Sequence, residues 1–237
     1  MKLHRFIINE TLESGKLLRV SDEDVVKQIR NVLRLRIGDK LVLGDGASCE
    51  AVAEIQDFGN GFIMFKVLEI SQNKSESEAD ITLYCSVLKR DNFELVVQKT
   101  TEVGIKEIVP IVAKRTVKLN LNLERLRIIA KEAAEQSGRA VVPKIHEVIS
   151  FNEAVKNAGG VMINHNTLFD ISGEPINDLK LKTKNLKLNL WVGPEGGWDE
   201  SELTAAKEAG FKIVSLGKLT LRAETAAIIA TYVAISD

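Results

Sequence analysis

Trp191-Val192-Gly193-Pro194-Glu195-Gly196-Gly197-Trp198 runs from an apolar segment through three glycines and directly into an acidic stretch with helix-capping residues. Without β-carbons, such a loop lets backbone N–H and C=O groups approach an adenine edge or a ribose, and ligands favour the carboxyl ends of sheet strands. A second segment has the same order of strand end, glycine and helix start: Leu216-Gly217-Lys218-Leu219-Thr220-Leu221-Arg222-Ala223-Glu224-Thr225-Ala226. There Arg222 offers a permanently charged guanidinium as a phosphate or oxyanion anchor. Arg222 and Glu224 also read as a structural ion pair and cap. In a third segment, Glu132 to Arg139, polar groups gather at a helix end, and Gln136 and Arg139 either face a pocket or simply close the helix. Neither G-x-G-x-x-G after the first strand nor G-x-x-x-x-G-K-[ST] occurs, so the usual phosphate cradles are missing. His4, His146 and His165 show no metal-ligand spacing, and there is no G-x-S-x-G elbow.

The elements that must carry these loops alternate strand and helix. From Ile81 the order is an apolar strand to Leu88, a D-x-x-E helix start at Asp91 and Glu94 running to Gly104, and a strand Ile108–Val112. A helix Leu123–Ser137 closed by Gly138, a strand Lys144–Ile149 and a capping box at Ser150 and Glu153 follow. Further strands fall at Val161–Asn164, Leu188–Val192 and Phe211–Leu216, with a capped helix from Asp199 and Glu202 to Gly210 and a last helix from about Ala223 to Ser236. This alternation predicts a mostly parallel sheet covered on both faces.

Residues 1 to 70 read differently, as a β-rich unit with one helix. Gly38-Asp39, Gly44-Asp45-Gly46 and Gly59-Asn60-Gly61 punctuate short strands and predict a small barrel. Ser21 is placed to cap a helix with apolar Val25, Ile29, Val32 and Leu33 on one side and a basic stripe of Lys27, Arg30 and Arg34 on the other. The polar, aperiodic run Ser71 to Glu78 reads as a linker, which divides the chain into domains 1–72 and 73–237.

The 237 residues carry a formal net charge of −1, but residues 88–144 hold twelve Lys and Arg against seven Asp and Glu. That local excess allows a nucleic-acid face on a neutral protein, or an ordinary solvated surface. No apolar run approaches the roughly 20 residues needed to span a bilayer, so a cytoplasmic protein without a membrane partner is expected. Cys49 and Cys85 have no C-x-x-C partner and read as packing residues.

Taken in order, these segments resemble the RsmE family of ribosomal RNA small-subunit methyltransferases. The resemblance rests on His4-Arg5-Phe6, the run Arg30 to Leu35 with Gly38-Asp39 and Asp45-Gly46, and ELVVQKTTEVG at Glu94 to Gly104. It continues through EQSGR at Glu135 to Arg139, Pro143, GPEGG at Gly193 to Gly197, and LG with LRAETA between Leu216 and Ala226, and so spans nearly the whole chain. It implies a PUA-like barrel that helps hold RNA, and a C-terminal SPOUT α/β domain with a deep trefoil knot that binds S-adenosylmethionine. The implied activity is methylation of N3 of a specific uridine in 16S ribosomal RNA. The implied partners are the small ribosomal subunit and a second copy of the chain, with no metal.

Mapped through the resemblance, the cofactor site comprises Ile163 and Asn164, the loop Val192, Gly193, Pro194, Glu195, Gly196 and Gly197, and Leu216, Gly217, Leu219, Thr220 and Leu221. Uracil N3 is a poor nucleophile while protonated, so an enzyme must favour its anion. Arg222 is the candidate stabiliser of charge on a uracil carbonyl, with Glu224 or a water as the proton acceptor. RNA contacts are expected from Lys27, Arg30 and Arg34, and from Lys89, Arg90, Lys114, Arg115, Gln136 and Arg139. The chain departs from the family pattern at Lys27-Gln28, where His is frequent, and at Leu219, where Arg is frequent. Two other readings stay open: a non-catalytic RNA-binding assembly factor, and an enzyme acting on small nucleotides.

Overall fold

A computed structural model describes residues 3–77, 79–117, 120–159, 164–176 and 187–236, the side chains of 90, 159 and 164 aside. The chain forms two compact units, one of residues 1–76 with 134–142, the other of residues 77–133 with 143–237.

The first unit is built on a five-stranded sheet of order β1-β3-β4-β5-β2. Its strands are β1 (Arg5–Ile7), β2 (Leu17–Val20), β3 (Lys40–Gly44), β4 (Cys49–Gly59) and β5 (Phe62–Gln72). All ladders are antiparallel except β1 with β3. The long β4–β5 hairpin alternates inward Ala51, Ala53, Ile55, Ile63, Phe65 and Val67 with more exposed residues such as Val52, Glu54, Met64 and Lys66, the period of two that a half-buried sheet requires. Phe6, Leu41, Leu43, Val25 and Ile29 complete the core, and each such large side chain is worth about 1.5–3 kcal/mol on burial.

The helix of this unit departs from expectation. Its cap is Asp22, not Ser21: Asp22 Oδ1 accepts from the backbone N–H of Asp24 and Val25, each at 3.0 Å. After α1 (Glu23–Lys27) the chain widens into a π-helical stretch, Gln28–Val32. An i to i+5 turn delays each later residue around the axis, so Val32 swings out to 67% exposure while Leu33 packs inward. The stretch ends with Arg34 in the left-handed region (φ 53) and with Leu35 N–H on Ile29 O at 3.1 Å.

The second unit holds a sheet of order β12-β10-β11-β6-β7-β8, with β9 also on β7, and every described ladder is parallel. The strands are β6 (Asp80–Ser86), β7 (Glu107–Val112), β8 (Lys144–Ile145), β9 (Ile149–Ser150), β10 (Asn164–Pro175), β11 (Lys187–Val192) and β12 (Lys212–Ser215). The single strand expected over 144–149 is thus two short pieces, because both pair with β7 on either side of His146. The strand expected at 161–164 lies mostly outside the described residues, and β10 runs on from there to Pro175. Helix α6 (Ala223–Ile235) packs on β6 and β11, with α2 (Arg90–Val103) against α6. The other face buries Trp191, stacked at 4.1 Å on Tyr84, under Phe151 and Ala154 of α4 (Phe151–Gly159) and Ala206 of α5 (Glu200–Glu208). Helix α3 (Leu123–Ser137) gives its last turn to the first unit.

Among the described residues no helix is long and apolar enough to cross a membrane, and no cluster of three potential metal ligands occurs.

Candidate functional site

At the carboxyl ends of β6, β10, β11 and β12 lies a pocket of about 740 Å³. The loop after β11 supplies Val192 through Trp198. Ser215 at the end of β12, then Leu216, Gly217, Leu219, Thr220, Leu221 and Arg222 of the loop after it, and Ala223, Glu224 and Ala226 of α6 line the rest. The two loops, whose glycines lie 20 or more positions apart in sequence, therefore meet because β10 alone separates β11 from β12 in the sheet.

Glycine is needed for two different reasons here. Gly197 and Gly217 take φ of 70° and 139°, a conformation that disfavours any β-carbon. Gly193 instead leaves room: a β-carbon there would sit 3.0 Å from the Trp198 ring, whose Nε1 donates to Phe169 O at 3.0 Å. Asp199 then caps α5 in a reciprocal capping box with Glu202, as expected from the sequence. Hydrogen bonds from Ser201 and Lys114 hold the Asp199 carboxyl down at about 2.

Arg222 and Glu224 differ sharply. The Arg222 side chain is 86% exposed at the mouth of α6, while that of Glu224 is 9% exposed, and their nearest atoms stand 4.0 Å apart. Glu224 Oε2 is buried and finds no hydrogen-bond partner among the described residues. An unpaired buried carboxylate oxygen costs several kcal/mol in general, although Glu224 lies in the first turn of α6, where the helix dipole favours negative charge. Cys85, on β6, is pushed far up by burial and then by the charges of Glu195 and Glu224, so its thiol stays protonated.

The structure also lines the pocket with Lys89, Asn92, Phe169, Asp170 and Ile171, of which sequence reasoning named only Lys89. Asn92 was within reach of the carboxyl-end rule, since it sits one turn into α2 just past β6. Phe169 to Ile171 gave no local signal: they depend on the length of β10 and on its register shift after Phe169. Lys89 is the cap residue of α2 but makes no side-chain cap bond, so the capping box expected at Asp91 and Glu94 is absent. Glu94 instead takes Arg125, at 2.6 and 2.8 Å. Ile163 lies outside the described residues, as do the side chains of Asn164 and Arg90.

The remaining basic candidates scatter. Lys27 and Arg34 are exposed, and Arg30 lies over Phe58 at 5.2 Å while donating to Gly59 O at 2.8 Å. Gln136 is exposed. Arg139 is a correction to the sequence reading. It is 3% exposed, and its Nε and NH2 donate to Glu76, which also accepts from the backbone N–H of Ala140 and Val141. This buried, multiply bonded pair fixes the segment after α3 and leaves no donor face for a phosphate.

With this geometry in place, the similarities carry meaning. Residues 75–235 match the family model described as an RNA methyltransferase domain, and residues 18–68 the model described as an RNA methyltransferase PUA domain. The chain is 32% identical to ribosomal RNA small subunit methyltransferase E of Rickettsia conorii, covering 97% of this chain and 94% of the relative. It is 28% identical to the Bacillus subtilis protein of the same name, covering 96% and 94%. The crystal structure of ribosomal RNA small subunit methyltransferase E from Neisseria gonorrhoeae bound to S-adenosyl methionine superposes with a TM-score of 0.90 at 30% identity, over 98% of this chain and 96% of that one.

Proposed function

We propose, for a chain that belongs to the ribosomal RNA small subunit methyltransferase E family, that it transfers a methyl group from S-adenosylmethionine to N3 of one uridine in 16S ribosomal RNA. The observation that carries this reading is the meeting of two glycine loops, an exposed guanidinium and a buried carboxylate in one pocket.

The residues present fit the cofactor. Bare backbone at Gly193 to Gly197 and at Gly217 suits close approach by adenine and ribose, and the unpaired Glu224 oxygen is an acceptor that waits for a donor. Val192, Gly193, Pro194, Glu195, Gly196 and Gly197 would hold it from one side, and Leu216, Gly217, Leu219, Thr220 and Leu221 from the other. When bound, S-adenosylmethionine supplies an electrophilic methyl carbon on its sulfonium. The chain supplies position: a pocket lined by Trp198 and by the start of α6 aligns the reacting atoms. Arg222, exposed at the pocket mouth, donates to a uracil carbonyl oxygen and stabilises charge as N3 loses its proton. Glu224 or a water accepts that proton.

In this reading the domains divide as 1–72 and 73–237, with the PUA-like barrel and the trefoil knot that the family pattern implies. Lys27, Arg30, Arg34, Lys89 and Arg90 contact RNA phosphates. The exposed Ile229, Tyr232 and Val233 of α6 form part of a homodimer interface, and the protein works in the cytoplasm on ribosomal RNA. The test is incubation with methyl-labelled S-adenosylmethionine and either 16S ribosomal RNA, small subunits or free nucleotides, followed by nucleoside mass spectrometry. Label in 3-methyluridine from RNA or subunits supports the reading. Label only in free nucleotides, or none, overturns it.

A further inference from the structure

The loop after β7 touches the glycine loop at Gly196 and, just beyond it, the cap and first turn of α5. Arg115 NH1 donates to Gly196 O at 3.0 Å, and the side-chain stem passes so close that a β-carbon on Gly196 would lie 3.3 Å from Arg115 Cβ and 3.6 Å from its Cδ. Next to it, Lys114 N–H donates to Glu202 Oε1 at 2.9 Å, and Lys114 Nζ to Asp199 Oδ1 at 3.0 Å and Ser201 Oγ at 2.6 Å. Arg115 NH2 also stands 3.7 Å from Asp199 Oδ2. The middle of the loop and its exit into α5 are thus tied to one neighbouring turn. The entrance side is held independently, by Lys89 N–H on Glu195 Oε1 at 3.2 Å.

From these contacts we infer that Arg115 is a positioning residue for the cofactor site, a latch that holds Gly196 in its binding shape before any ligand arrives. The inference rests on the methyltransferase reading above. A loop with three glycines loses much conformational freedom when it is fixed, and ordering it in advance lowers the cost of binding. The sequence reading of Arg115 as a phosphate contact competes for the same donors: NH1 is spent on a carbonyl of the protein itself. The packing explains residue 196 as well, since the missing β-carbon makes room for the arginine stem.

Calorimetry with S-adenosylmethionine tests this on the full chain. Arg115→Ala is expected to weaken cofactor binding about tenfold, and Arg115→Met, which keeps the stem but has no donor, by nearly as much. Arg115→Lys, with one donor in reach, recovers part of the loss. In turnover assays the Met variant raises KM for the cofactor while kcat at saturation changes little, and its RNA affinity keeps the wild-type salt dependence. If Arg115→Met binds cofactor as the wild type does, or loses about one unit of salt slope in RNA binding instead, the latch is wrong. If Arg115→Ala does not fold, the Met variant alone decides. A wild-type chain that takes up no S-adenosylmethionine sinks the methyltransferase reading and the latch together, a result distinct from wild-type binding with unaffected variants.

Discussion

At the amino ends of β7 and β11, Glu107 receives His146 Nε2 at 2.7 Å and Lys187 Nζ at 3.1 Å, whereas at the carboxyl ends of the same sheet Glu224 keeps one buried oxygen without a partner. Burial by itself would raise the Glu107 pKa, but the hydrogen bonds from His146 and Lys187 outweigh it and hold the carboxyl below the ordinary glutamate range. Lys187 answers in kind: burial lowers it, the bond to Glu107 raises it further, and the balance is upward. The charged groups at one end of the sheet are thus paired with one another, although the neutral Thr82 Oγ1 and Asn189 Oδ1 close by are buried without partners. The other leaves a charge exposed and an acceptor unmet, and that is the end where bare backbone lines a pocket. A protein tolerates such an imbalance where a ligand completes it.

The largest expected break in this contrast is at the open end. Arg222→Ala should lower single-turnover methyl transfer by on the order of 100-fold at saturating cofactor, because it removes the donor to the developing oxyanion. Calorimetric affinity for S-adenosylmethionine should stay near wild type, since the side chain is 86% exposed and supports no packing. Unchanged turnover would remove Arg222 from the chemistry. Next in size is Gly193→Ala. Its β-carbon meets the Trp198 ring at 3.0 Å, and chemical denaturation should show a loss of about 1–3 kcal/mol, typical of overpacking, together with weaker cofactor binding. A variant as stable as wild type would mean that Trp198 moves freely.

The smallest effect belongs to the closed end. Glu107→Gln should cost only about 1 kcal/mol near neutral pH, because His146 and Lys187 are partly exposed and can turn to water. The pH dependence is more telling than the size. Because the folded-state pKa of Glu107 is depressed, its contribution is present above the ordinary carboxylate pKa and disappears as pH falls through the folded value. The Gln variant should therefore converge with wild type in acid-denaturation curves. A difference that persists below that range would point to packing rather than charge.

How far the sequence foretold these ends depends on how local each signal was. The place of the glycine loops between strand ends and helix starts, the Asp199–Glu202 capping box and the period-two hairpin β4–β5 are written in neighbouring residues, and all three appear in the fold. Val32 was misplaced because a helix period of 3.6 does not anticipate a π turn. Arg139 was assigned to RNA because a charged residue at a helix end is usually solvated, and only the fold brings Glu76 to it across 63 positions. Asp170 and Ile171 reached the pocket through the length of β10, and Glu107 found its partners through strand order. For Arg139 and Glu107 the deciding partner lies far along the chain, whereas Val32 turns on a local change of helix type.

The most direct test of the central claim, that the two glycine loops form the cofactor site, is a crystal structure of this chain grown with S-adenosylmethionine. Density for the cofactor is expected between residues 192–197 and 216–221, with Glu224 no longer lacking a partner. Cofactor bound at another place, with those loops packed as they are and Glu224 Oε2 still unmet, would contradict it.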